Sequence, residues 1–99
     1  MEEKPLVFEW DARKARSNQR KHGVSFDEAS SVFEDGLSMI FDDSGYSHDE
    51  HRELIVGQSI LGRLLMVGFT ERENGRIRLI SARRATRPEQ RDYEEGTKS

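Results

Sequence analysis

Hydrophobic and polar positions follow two periods along this chain, and each period marks elements. Leu6-Val7-Phe8-Glu9-Trp10 has the character of a short strand. From Asp11, an N-cap residue, a helix is predicted to His22, where Gly23 stops it. Its apolar side is thin, Ala12 and Ala15, and it carries Arg13, Lys14, Arg16, Arg20 and Lys21. Ser25-Phe26-Asp27-Glu28 has capping-box spacing, with Val24 and Ala29 placed for a hydrophobic staple. Phe26, Ala29, Val32 and Phe33 share one face of this second helix, and Asp35-Gly36 ends it.

The second half changes period. Ser38-Met39-Ile40-Phe41-Asp42 has strand character, and residues 43–50 form a polar loop. Three strand runs follow, at 52–60, 63–73 and 76–84. Asn74-Gly75 predicts a two-residue type I′ hairpin; Leu61-Gly62 is a weaker signal for another. Thr86, Pro88 and Glu89 supply the cap, first-turn proline and capping-box acid of a closing helix at 87–95, leaving 96–99 as a disordered tail. The prediction is one α+β domain, 1–99. It has a small antiparallel sheet of about four strands, a short N-terminal strand, two N-terminal helices and a short C-terminal helix.

Two-residue turns would fix the pairing. Glu73 then faces Arg76, Arg72 faces Ile77, Glu71 faces Arg78, Thr70 faces Leu79, Phe69 faces Ile80 and Val67 faces Ala82. Ile60 faces Arg63, Leu54 faces Phe69 and Arg52 faces Glu71. Arg52–Glu71–Arg78 would form one row, above core rows Leu54–Phe69–Ile80 and Val56–Val67–Ala82. Gly68 with Ser81 and Met66 with Arg83 would lie on the other face. The arginine–carboxylate row has two readings: a cross-strand ion-pair row that fixes register, or a site where Glu71 orients arginines around a phosphate. Arg83 likewise serves as a salt bridge, to Glu89, or as a functional cation.

Charge sharpens the picture. The net charge is −3, yet residues 1–50 carry 6 Lys/Arg against 12 Asp/Glu, and residues 51–99 carry 10 against 7. Between residues 72 and 91 stand seven arginines and two glutamates. Arginine's planar, permanently charged fork suits phosphate, so overall acidity does not exclude a nucleic-acid site. The hydrophobic fraction, 33%, allows only a thin core. There are no cysteines, which excludes disulfides and thiolate metal sites. No run is long and apolar enough to span a membrane, and no leader is visible, so a cytoplasmic location is expected. His48 and His51 flank Asp49 and Glu50 without a further spaced ligand, so no metal site and no cofactor are expected. His22, ending the basic helix, suits its dipole.

Phe8-Glu9-Trp10-Asp11, Lys21-His22-Gly23-Val24-Ser25-Phe26-Asp27-Glu28-Ala29, Val32-Phe33, Thr70-Glu71-Arg72 and the block from Ile80 to Thr86 with Glu89 and Tyr93 together resemble the BrnT family of bacterial type II toxins. The resemblance implies a RelE-like fold and a ribonuclease that cuts RNA without metal and arrests translation and growth. It also implies neutralisation by a ribbon-helix-helix antitoxin, BrnA, through which the complex reaches DNA. Such cleavage needs a base for the 2′-OH, charge stabilisation at phosphorus and an acid for the leaving oxygen. Arg83 leads as the stabilising cation, with Arg78 and Arg72 in support. Glu71 or Glu89 stands as base, and His22 or His51 as acid. Lys21, Arg16, Arg20, Arg52 and Arg84 are candidates for an RNA track, and Tyr93 for stacking on a base. The alternative is a non-catalytic module whose basic surface only holds an antitoxin or regulator.

Overall fold

A computed structural model of the chain describes residues 5–43 and 51–97. The elements are β1 (Val7–Glu9), α1 (Ala12–His22), α2 (Phe26–Ser31), β2 (Met39–Asp42), β3 (Arg52–Gln58), β4 (Leu64–Arg72), β5 (Arg76–Arg84) and α3 (Arg87–Thr97). The strands form one sheet in the order β1-β5-β4-β3-β2. β1 pairs with β5 in parallel and all other pairs are antiparallel. The sheet is therefore five-stranded and mixed, because the N-terminal strand joins it alongside Arg76–Arg78.

The helix boundaries follow their caps. Asp11 accepts from the backbone N–H groups of Arg13 and Lys14 at 2.8 and 3.1 Å. Gly23 closes α1 at φ 68°, a left-handed conformation that costs glycine little. Ser25 accepts from the Glu28 N–H at 3.0 Å, but the Glu28 carboxylate does not return to Ser25. It turns inward to Ser59 and Arg63 instead, so the capping box is half made. After Ser31 the chain tightens to a 3₁₀ turn, Val32–Glu34. At the other end, Gly96 and Thr97 are helical rather than tail.

The hairpins differ from the predicted register by one residue. Asn74 and Gly75 do adopt φ of 62° and 75°, with the Arg76 N–H bonded to the Glu73 carbonyl. The ladder, however, begins with Arg72 opposite Arg76, which leaves Glu73 outside it. The β3–β4 loop is also one residue longer, since the Ser59 N–H bonds to the Arg63 carbonyl and Gln58 stands opposite Leu64. A one-residue slip turns side chains to the opposite face. Arg52 therefore meets Thr70, not Glu71, and Arg78 also meets Thr70. An irregularity at Gly68/Phe69, where Ile80 drops out of the ladder, then restores the predicted pairs Gly68–Ser81, Val67–Ala82 and Met66–Arg83.

The core sits mainly on one face of the sheet, here the inner face. Ile55, Leu65, Val67, Phe69, Ile77, Leu79 and Ala82 pack there against Val24, Phe26, Ala29 and Val32. Phe33 joins Phe8 and Phe69, with ring centroids 5.1 and 4.9 Å away. Asn18 is the polar pin of this packing. Its amide nitrogen donates to the Val24 and Ala82 carbonyls at 3.0 and 2.8 Å, and its oxygen accepts from the Ala82 N–H at 3.0 Å. β1 covers only residues 76–78 of β5, so the side chain stands in for a missing neighbouring strand.

On the outer face α3 covers one end, where Tyr93 packs with Val56 and Met66 and is flanked by Met39, Leu54, Leu64 and Ala85. Among the described residues no helix is long and apolar enough to cross a membrane.

Candidate active site

Strand alternation places Arg83 on the outer face beside Met66, just before the chain turns into α3. Arg83 Nη1 and Nη2 donate to the two carboxylate oxygens of Glu89, both at 2.8 Å, a bidentate fork. The same carboxylate accepts from the Thr86 N–H at 2.8 Å, and the Thr86 hydroxyl accepts from the Glu89 N–H at 3.4 Å. One glutamate thus caps α3 and orients a guanidinium. Hydrogen bonding from Arg83 outweighs partial burial and holds the Glu89 carboxyl down at about 2, while Glu89 raises Arg83 in turn. Such a carboxylate is too weakly basic to take a proton from a ribose hydroxyl near neutrality. Glu89 holds Arg83 in place, and of the two expected bases, Glu71 and Glu89, its depressed carboxyl is a poor one near neutrality.

Beside this pair lies a cavity of about 220 Å³ lined by Phe41, Val56, Met66, Glu89 and Asp92. Its floor is apolar and its α3 side is acidic. Phe41 is 42% exposed, an aromatic ring open to solvent on this face.

Beyond α3, the outer face becomes cationic. Two residues along each strand separate rows, and Thr70 lies four residues from Met66, roughly 13 Å at the rise of a strand. Arg52, Thr70 and Arg78 form one row across three strands, and Arg72 pairs with Arg76 in the next. Glu9 on β1 is the carboxylate that these strands add to the face among the described residues. It accepts from Arg76 Nε and Nη2 at 2.9 and 2.6 Å and lies 3.9 Å from Arg78. The Arg76 hydrogen bond lowers the Glu9 carboxyl, with Arg72 and Arg78 adding to the effect. Arg52 Nε and Thr70 Oγ1 are both shielded and lack a hydrogen-bond partner. Orphaned buried polar groups are rare, and these two are direct neighbours within the arginine row.

The residues with the strongest claim from sequence divide between the faces. Arg52, Arg72, Arg78 and Arg83 share the outer face, although the predicted register had set Arg83 apart from Arg52 and Arg78. Glu71 does not join them. It stands opposite Ile77, a core residue of the inner face, so it neither bridges Arg52 and Arg78 nor reaches Arg83. Arg84 pairs with Leu65 and also belongs to the inner side. Arg16, Arg20, Lys21 and His22 are exposed on α1, which packs along β5 from the inner side. Tyr93 is 8% exposed and its hydroxyl donates to Asp35 at 2.7 Å, so its ring cannot stack on a base. Burial and this bond push its hydroxyl up to about 12.

His51 lies at the outer end of β3, with Nε2 3.0 Å from Asp42. Asp42, His51 and Glu53 have ligand atoms within 4.8 Å of one another, a metal-compatible group on the sheet edge away from Arg83. His48 falls outside the described residues.

The sequence reading missed Phe41, Asp92 and Glu9. Alternation within β2 marks Phe41 and Met39 as sharing a face, but the intervening polar loop is too long to set their register against β3.

A family model described as "Ribonuclease toxin, BrnT, of type II toxin-antitoxin system" matches residues 10–89. The chain belongs to the BrnT family. The crystal structure of the Brucella abortus ribonuclease toxin BrnT superposes with a TM-score of 0.64 at 21% identity, covering 84% of this chain and 100% of that one, a likeness of fold. No curated protein matches the chain. The BrnT match spans Arg52, Arg78, Arg83 and Glu89 and stops at the first turn of α3, so Asp92 and Tyr93 lie outside it. Membership in this toxin family implies RNA as substrate and an antitoxin as partner.

Proposed function

We propose that this chain is a metal-independent endoribonuclease toxin, acting in the cytoplasm to inhibit translation and growth. The observation that carries the reading is Arg83, held in a bidentate grip by Glu89 on a face lined with further arginines. In the reaction, the ribose 2′-oxygen attacks phosphorus and the bond to the 5′-oxygen breaks, giving a 2′,3′-cyclic phosphate and a 5′-hydroxyl. Negative charge builds on the non-bridging oxygens, where a fixed guanidinium is most effective because it needs no reorganisation. Arg83 performs this task. Arg52 and Arg78 hold the neighbouring backbone, and an anion drawn between them would supply the acceptor that Arg52 Nε lacks. The proton of the 2′-OH leaves to solvent, since Glu89 is clamped and Glu71 stands on the other face, and a water molecule returns one to the departing 5′-oxygen.

The proposal extends to a RelE-like relationship, supported by two N-terminal helices packed on one face of the sheet. It also extends to neutralisation by a ribbon-helix-helix antitoxin, through which the pair would reach operator DNA. An antitoxin that covers the outer-face arginines with acidic side chains would block the RNA path.

The test is inducible expression in bacteria and incubation of purified protein with RNA in the presence of a chelator, comparing wild type with Arg83→Ala. The wild type should arrest growth and cut RNA with chelator present, and the variant should be slower by on the order of 100-fold or more. Intact RNA throughout, with a tight antitoxin complex, would establish the non-catalytic binding module instead.

A further inference from the structure

We infer that the cavity between Phe41 and α3 is a guanine-base subsite that selects where the RNA is cut, an inference that rests on the ribonuclease reading above. The cavity measures about 220 Å³. That is below the roughly 300–1,000 Å³ of sites that enclose whole small molecules, and suits a single planar base with its sugar and phosphate left outside. Phe41 offers a half-exposed ring as a stacking surface, and Val56 and Met66 form an apolar floor. Glu89, which lines the cavity, also grips Arg83. A base in the cavity therefore has the phosphate-compatible guanidinium beside it, as a nucleotide requires.

The remaining lining residue decides which base. Asp92 follows Glu89 by three positions, so both carboxylates lie along one side of α3. Glu89 is fully engaged by Arg83 and Thr86. The Asp92 carboxylate has no partner among the described residues. An ionised carboxylate only accepts hydrogen bonds. Guanine offers it two adjacent donors, N1–H and the N2 amino group, in a matching bidentate arrangement. Adenine and cytosine set a ring-nitrogen acceptor beside their amino group, and uracil flanks its one N–H with two carbonyls. Each of those would place a lone pair against the carboxylate, which builds rejection as well as attraction into the site.

The experiment uses the full chain. The 5′-monophosphates of guanosine, adenosine, cytidine and uridine are titrated by calorimetry, with chemical shifts of the Met66 methyl and Phe41 ring locating the site. Short RNAs containing or lacking guanosine are then compared for binding and cleavage. The expected result is at least tenfold tighter binding of the guanosine nucleotide, shifts at Met66 and Phe41, and cleavage confined to RNAs with guanosine. Asp92→Asn, at an exposed position, should fold normally and bring the four nucleotides within about threefold of one another. Phe41→Ala should weaken all four. Equal binding by wild type, or a guanine preference that survives in Asp92→Asn, would overturn the inference. So would guanosine nucleotide binding combined with equal binding and cleavage of both kinds of RNA, which would make the occupant a free nucleotide. If no RNA is cut while RNA binding keeps an Asp92-dependent guanine preference, the subsite stands and the ribonuclease reading falls. Cleavage without base preference gives the reverse.

Discussion

Replacing Glu89 with Gln removes one charge and keeps the side chain's shape. The wild-type carboxyl is displaced from its ordinary 4.5 to about 2 by Arg83 and Thr86, against the opposing effect of burial. That displacement corresponds to about 3 kcal/mol of stabilisation at full value. The Arg83 side chain is 40% exposed and that of Glu89 23%, so solvent screening brings the expected loss to about 1–2 kcal/mol. For a domain of this size, the melting temperature should fall by roughly 4–10 °C.

The pH dependence is the sharper signature. A depressed carboxyl stabilises the fold above its unfolded pKa, and this contribution is lost as pH falls through the folded value. The difference between wild type and Glu89→Gln should hold from pH 7 to about 5. It should shrink to less than about half by pH 3, because the unfolded carboxyl is by then protonated and must give up its proton when the chain folds. Urea denaturation of both proteins between pH 3 and 7 measures it. A gap equally wide at pH 3 and pH 7 would refute the electrostatic account of Glu89. Cleavage by the variant adds a second reading. A positioning role lowers kcat and leaves the shape of the pH–rate profile intact, whereas a general base would take the acid limb with it.

Asn18→Ala should cost about 2–3 kcal/mol in urea denaturation, because it strands the buried N–H and carbonyl of Ala82; a loss below about 0.5 kcal/mol would contradict the pinning role. Arg52→Gln with Arg78→Gln should flatten the salt dependence of RNA binding by about 0.7 per lost contact on a single strand. The pair Arg16→Gln and Arg20→Gln, on the helix side of the sheet, should leave that slope unchanged, and filter binding from 50 to 300 mM salt decides between the two paths.

Local chemistry was readable in the sequence where one short segment determined it. Asp11, Ser25, Gly23 and Thr86 mark helix ends through bonds made within four residues, and those ends fall where expected. The Asn74-Gly75 turn also adopts its expected dihedrals. Register was less readable because it depends on loop length one residue at a time. Glu73 outside the ladder and the longer β3–β4 loop moved Arg52 and Arg78 onto the face of Arg83 and left Glu71 behind. The pairing of Arg83 with Met66 came out as predicted because a second irregularity, at Ile80, cancelled the first. Long-range polar contacts gave no signal at all. Nothing in the sequence near Asn18 points to Ala82, and nothing near Tyr93 points to Asp35.

The Asn18 amide also sets an order of events. Its partners on β5 lie 64 residues downstream, and contacts so distant in sequence form only after the intervening chain has closed. During synthesis, which proceeds from the N-terminus at about 5–20 residues per second, α1 emerges several seconds before residue 82 exists. Until then its amide has only water and the nearby Val24 carbonyl to bond. Arg83 and Glu89 emerge later still. The fold therefore closes late: α1 cannot lock onto β5 until Ala82 has left the machine that makes the chain, and Arg83 cannot be gripped until Glu89 has followed it.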